Sequence, residues 1–186
     1  MSILVRCDYS QNYRQKAANA NGRPIIDSPL KIEQALQQQT FDSAIHKAHL
    51  NILVTASWLS QRTTRALKPF DISMQQYNIL RILRGRHPES ATVKMLTERM
   101  IDQTSNASRL VDKLVKKGLV ERTQCPTDRR QVDITITEAG LEKLAAATQV
   151  VNEQIHSTTG NFSAEEAELV SVFLDKLRSR GEDAEE

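Results

Sequence analysis

Apolar side chains recur at three- and four-residue steps from Asp42 onward: Ile45, Ala48, Ile52, Leu53, Ala56, Leu59, Thr63, Ala66 and Leu67. That spacing places them on one face of a long amphipathic helix, which Pro69 must end because it supplies no backbone N–H. Ser73 with Gln76 three residues later has the form of a capping box. It predicts a second, shorter helix with Met74, Tyr77, Leu80 and Leu83 facing inward, closed by Gly85 and Pro88. Thr92 can cap a third helix running through Met100. After a polar break at Ile101-Asp102-Gln103, a fourth helix runs to Lys117, with Ala107, Leu110, Val111, Leu114 and Val115 as its apolar side. Gly118 then stands where a left-handed residue is wanted.

Helical spacing gives way to alternation at this point. Leu119, Val120 and Arg122-Thr123 form one short strand, and Val132, Ile134 and Ile136 alternate with Asp133 and Thr135 in a second, with the polar stretch 126–130 as the hairpin tip between them. Thr137-Glu138 can start another helix near Ala139, carrying Leu141, Leu144, Val151 and Ile155, until Gly160 breaks it. Ser163 with Glu166 makes a further capping box, opening a last helix with Leu169, Val170, Phe173, Leu174 and Leu177. Two helices joined by a tight turn and followed at once by a hairpin predict a mainly α (α+β) fold, a winged helix-turn-helix with long flanking dimerisation helices.

The division that follows is residues 31–70 as an N-terminal dimerisation helix region, 71–137 as the winged helix-turn-helix, 138–180 as C-terminal dimerisation helices and 181–186 as an acidic tail. Residues 1–30 lack a helical period and contain Asn19, Asn21, Gly22, Pro24 and Pro29. They read as a flexible arm or a non-native leader, with no function assigned.

Charge sharpens this picture. The whole 186-residue chain carries a net charge of only +2, yet from Arg81 to Gln131 twelve bases face six acids, while from Ser163 to Glu186 three bases face eight. The middle invites a polyanion and the tail does not. Two cysteines, Cys7 and Cys125, support no disulfide framework. No apolar run approaches the roughly 20 residues of a membrane span, so the protein is expected in the cytoplasm and away from membranes.

The start of the fourth helix gathers Gln103, Thr104, Ser105, Asn106, Ser108 and Arg109, side chains able to donate and accept toward base edges. A recognition helix puts such N-terminal residues into the major groove of double-stranded DNA, where Asn or Gln can pair with adenine and Arg with guanine. Asn106 and Arg109 are therefore the main candidates for base reading. Polar residues also favour any solvated helix start, so the neighbouring hairpin decides the reading. Its tip holds Asp128-Arg129-Arg130, two guanidinium groups that can enter a narrow minor groove and a carboxylate that can orient one of them.

These residues carry a named resemblance. Asp128, Arg130, Ile136-Thr137 and Gly140 stand at the spacing of the wing signature of the multiple-antibiotic-resistance regulator (MarR) family, and the stretch from Ser108 to Val120 resembles that family's recognition helix running into its first wing strand. The resemblance covers most of residues 42–180. It implies a homodimer that binds a palindromic operator near a promoter, most often as a repressor, and lets go on meeting a small phenolic, another ligand or an oxidant. It also implies Arg130 as the minor-groove arginine, Asp128 as its orienting partner, Arg129 as a phosphate contact, residues 103–109 facing the major groove, and the helices at 42–67 and 139–180 as the dimer interface.

The effector is less legible. Peroxide-sensing relatives use a cysteine near the start of the first long helix, which this chain lacks. Cys125 at the base of the wing is a redox candidate, although a lone cysteine is more often a small packing residue. His46 and His49 lie three apart with Asp42 one turn earlier, a conceivable metal site that a surface helix with two histidines explains more simply. Trp58 and Tyr77 suit either a ligand pocket or core packing. No metal or cofactor is expected, and a small aromatic or phenolic effector is the implied ligand. There is no Gly-rich phosphate loop, no nucleophile elbow and no multi-ligand metal spacing, so the chain is read as no enzyme. The alternative is a winged-helix protein-interaction module without DNA binding, which would not require paired wing arginines beside a polar recognition-helix start.

Overall fold

In a computed structural model describing residues 31–124, 132–160 and 162–179, the periodic stretch after Asp42 forms α2 (Ala44–Leu67), preceded by a four-residue α1 (Ile32–Ala35). Pro69 ends α2 in a 3-10 turn, Lys68–Phe70, and Asp71 leaves that turn in the left-handed conformation at φ 54°. The expected capping box opens α3 (Met74–Arg84): Gln76 N–H donates to Ser73 Oγ at 3.1 Å, and Ser73 N–H donates to Gln76 Oε1 at 3.0 Å. Two otherwise orphaned helix donors are satisfied reciprocally, which is why Gln76 is buried among apolar neighbours.

Thr92 caps α4 (Val93–Arg99) by accepting from Met95 N–H at 3.2 Å. The next helix, α5 (Ala107–Lys116), begins later than the expectation that Gln103, Thr104 and Ser105 open it. Asp102 is the cause. Its carboxylate accepts the Thr104 hydroxyl at 2.6 Å, the Ser105 hydroxyl at 2.7 Å and the Thr104 N–H at 3.1 Å, folding those residues into a turn. Short polar side chains that bond nearby backbone compete with helix in this way.

Beyond Gly118, at φ 68°, come β2 (Val120–Gln124) and β3 (Val132–Ile136), antiparallel from Val120 opposite Ile136 to Gln124 opposite Val132. A third strand, β1 (Ala91–Thr92), was not expected. It pairs Ala91 with Ile134 and Thr92 with Asp133, giving the sheet order β1-β3-β2. Thr137 then caps α6 (Glu138–Thr159) by accepting from Gly140 N–H at 3.0 Å, while its hydroxyl donates to the Gly118 carbonyl at 2.8 Å. The last helix is α7 (Ala164–Ser179), whose first turn carries the expected Ser163–Glu166 box.

The chain divides into two compact units, one ending at Ala56 and the other beginning at Ser57, so that α2 contributes to both. In the second unit α3 is the central element, with Tyr77, Ile79, Leu80, Ile82 and Leu83 buried. Around it pack Leu96 of α4, Val111 and Leu114 of α5, Val120 and Ile134 of the sheet and Leu144 of α6, all fully buried. Burying each such aliphatic side chain contributes about 1.5–3 kcal/mol, so the recognition elements are fixed onto one apolar centre. Gly140 is required where α6 meets this centre, because a Cβ there would run into the Leu119 carbonyl oxygen and lie 2.8 Å from Ile136 Cγ1.

The outer helices differ. α7 has no buried residue, and Leu169, Val170, Val172, Phe173 and Leu177 are 44–65% exposed. In α2 only Leu67 is buried, leaving Ile45, Leu53 and Trp58 open. Among the described residues no helix is long and apolar enough to cross a membrane.

Candidate nucleic-acid interface

α5 is built to be held by one face and read by another. Ala107, Val111 and Leu114 turn into the core, which leaves Arg109, Lys113 and Lys116, at i, i+4 and i+7, on one exposed stripe. No described residue pairs with any of the three. Nearby cations are engaged instead: Arg86 with Glu89 at 2.7 Å, Lys117 with Asp71 at 2.9 Å, and Arg122 with Asp112 at 2.5 Å, while Lys94 stands 4.0 Å from Glu98. Arg81 and Arg84 on α3 and Arg99 on α4 likewise make no ion pair with a described residue, so what sets Arg109, Lys113 and Lys116 apart is that three cations share one exposed stripe of a single helix.

The expected contact residues take distinct positions around this stripe. Ser108 and Arg109 are exposed in the first turn of α5. Asn106 is the N-cap, its Oδ1 accepting Arg109 N–H at 3.0 Å. With that oxygen engaged, the two-point adenine contact expected of an asparagine would require breaking the cap, although the Nδ2 group keeps its donors. Gln103 donates to the Glu98 carbonyl at 3.2 Å. Thr104 and Ser105 both give their hydroxyl protons to Asp102, so toward a ligand they present lone pairs. The two hydroxyls, Thr104 first, hold the Asp102 carboxyl below its ordinary value. Asp128, Arg129, Arg130 and Cys125 lie outside the described residues.

Sequence reasoning left Lys113 and Lys116 out of the site, although their spacing from Arg109 was legible. It also passed over Ile101, 82% exposed at the turn between α4 and α5 and pinned there by its N–H donating to Asn78 Oδ1 at 2.9 Å. Pairing of Arg122 with Asp112 has no sequence signature.

The other candidates resolve by geometry. His46 Nδ1 lies 3.1 Å from Asp42 Oδ2 and its ring meets Phe41 edge-on. Among the described residues no group of three or more His, Cys, Asp or Glu side chains converges as a metal site, His49 included. Tyr77 is a core residue whose hydroxyl reaches Thr148 Oγ1 at 3.2 Å. Trp58 is 46% exposed with the Arg62 guanidinium 5.0 Å over its ring.

A helix with open cations, entered by a tight turn and followed by an antiparallel ribbon, is the winged helix-turn-helix arrangement of DNA-binding proteins. Relatives agree. The MarR family profile matches residues 72–132. An uncharacterized HTH-type transcriptional regulator of Bacillus subtilis (strain 168), YdcH, is 34% identical over 101 residues, which span 53% of this chain and 68% of that protein. Two solved structures share the fold. The organohalide-sensing regulator RdhR, in its 2,4-dichlorophenol-bound form, matches with a TM-score of 0.68 at 23% identity over 78% of this chain and 88% of its own. A mutant form of Escherichia coli MarR complexed with operator DNA matches with a TM-score of 0.64 at 24% identity, over 75% and 99% respectively. The chain belongs to the MarR family of DNA-binding transcription regulators.

Proposed function

We propose that this chain is a repressor that binds a palindromic operator as a homodimer and releases it when a small aromatic or phenolic molecule binds. The observation that carries the DNA-binding half is the open stripe Arg109–Lys113–Lys116 on α5, next to Lys117 and Arg122, which are paired. In this reading residues 71–137 contact DNA, α5 enters the major groove with Ser108 and Arg109 foremost, and Arg130, oriented by Asp128, enters the flanking minor groove while Arg129 meets phosphate. Residues 31–70 and 138–180 form the dimer, and the bare apolar face of α7 supports that assignment because exposed apolar surface of this extent marks an interface. Dichlorophenol bound to RdhR supports an aromatic effector. Such a regulator works in the cytoplasm beside its operator.

Retention of the DNA upstream of the chain's own gene, titrated with salt, tests the reading. Affinity should fall steeply and linearly on logarithmic axes, and the double variant Lys113→Ala/Lys116→Ala should lower the slope by roughly one per cation removed, about four per dimer. Added 2,4-dichlorophenol is the first effector probe and should speed release. Retention without sequence preference or salt dependence would leave a protein-interaction module as the better account.

A further inference from the structure

Arg122 stands on β2, two residues beyond Val120 and therefore on the same face of the strand. Val120 points into the core and is fully buried. Arg122 lies just past the edge of that core and reaches α5, its Nη1 donating to Asp112 Oδ1 at 2.5 Å and its Nη2 to Ser108 Oγ at 3.4 Å. Ser108 and Asp112 are one turn apart on α5, so a single guanidinium spans the first two turns of the helix. Its side chain is about one-third exposed and that of Asp112 about half, which leaves both reachable by solvent and neither stranded.

We infer that Arg122 is a positioning residue, a strut that sets the wing against the recognition helix, rather than a DNA contact. The ribbon is a lever. β3 is held on its far side by β1 and by burial of Ile134, which is the residue opposite Arg122. On the β2 side, burial holds only Val120. Tying Arg122 to α5 moves the support of β2 outward by two residues, about 7 Å at strand spacing, to the same level as Ile134. Arginine suits this because its planar fork can engage a carboxylate and a hydroxyl at once. The pair also neutralises Asp112, an acid on the helix proposed to face phosphates.

This inference rests on the proposed placement of α5 and the wing on operator DNA, and charge alone makes the opposite forecast for one variant. Asp112→Asn adds a net positive charge per protomer and frees Arg122, so simple electrostatics predicts tighter binding to any duplex. The strut predicts that operator preference over random DNA falls about tenfold, with minor-groove protection from hydroxyl radicals lost at the wing and guanine protection in the major groove kept. Arg122→Met should show the same footprint, Arg122→Lys should restore part of it, and the double variant Arg122→Met/Asp112→Asn should lose no more preference than Arg122→Met does. Circular dichroism and the thermal midpoint of each variant separate a misplaced wing from a failed fold. In the DNA-free dimer, amide exchange along β2 should quicken in Arg122→Met, an arm independent of the operator. Tighter operator binding by Asp112→Asn with both protections intact, or losses that multiply in the double variant, overturns the strut. A wild-type protein that gives no operator footprint refutes the placement on DNA instead, and unchanged β2 exchange in Arg122→Met then refutes the strut as well.

Discussion

Two regions of this molecule are left incomplete in opposite ways. On α5 the unmet groups are cations, Arg109, Lys113 and Lys116; on α7 they are hydrocarbons, from Leu169 to Leu177. The two conditions do not cost the same. A solvated ammonium or guanidinium is at ease in water, so open cations on a packed helix indicate a polyanion only because the turn before them and the ribbon after them fit a groove. Bare apolar surface is unfavourable at about 25 cal/mol per Å², so α7 calls for cover even without any knowledge of DNA. In the proposed reading, one region meets an occasional partner and the other a permanent one.

The strongest way to break the contrast is to make α7 resemble α5. Leu169→Asp with Phe173→Asp places two carboxylates per protomer on the face assigned to the dimer. Sedimentation should show monomers while the helical and sheet signals of the winged lobe persist, because α7 contributes nothing to that lobe's buried core. Operator affinity should drop by about 10²–10⁴-fold, the advantage that linking two half-site contacts provides. A stable dimer in this variant would move the interface away from α7.

Gly140→Ala attacks the other half. The added methyl group would meet the Leu119 carbonyl and Ile136 Cγ1 where the end of the wing, the residue after Gly118 and the start of α6 converge. Over-packing of this kind costs about 1–3 kcal/mol, and a midpoint several degrees lower in calorimetry is the expected result. Dimers should persist at temperatures below that midpoint. An unchanged midpoint would mean that α6 can shift away from Leu119 and Ile136 without loss.

How much of this was visible in the sequence depends on whether a feature has a period. α2 to α7 were legible because their apolar spacing runs for two turns or more and because Ser73, Thr92 and Thr137 announce their caps. β1 was not, since two residues cannot show alternation; it exists because Ala91 and Thr92 find Ile134 and Asp133 on a strand more than forty positions away. The start of α5 was misplaced for a local reason: Asp102 draws Thr104 and Ser105 into a turn, and polar residues look alike whether they cap a helix, precede it or open it. For the interface, the basic stripe follows from i, i+4, i+7 spacing. The pairings that remove Lys117 and Arg122 from the pool of free charge depend on contacts across 46 and 10 residues, which no pattern records.

Asp102 offers the finest test, because it is an acid in the turn that leads into the basic face of α5. Its carboxyl is held below the ordinary aspartate value by the Thr104 hydroxyl first and the Ser105 hydroxyl second. A depressed folded value means that the carboxylate's contribution to stability is fully present above the ordinary value near 4 and fades as pH falls through the lower, folded one. Wild type should therefore exceed Asp102→Asn in thermal midpoint at neutral pH, and the gap should narrow only below about pH 4. The group is solvent-exposed, so the effect should be small beside that of Gly140→Ala. If the turn exists to deliver α5, Asp102→Asn should weaken operator binding at neutral pH even though it removes a negative charge beside the basic stripe. An equal or tighter complex would show that the turn only tolerates its acid and that the open stripe on α5 alone governs the contact.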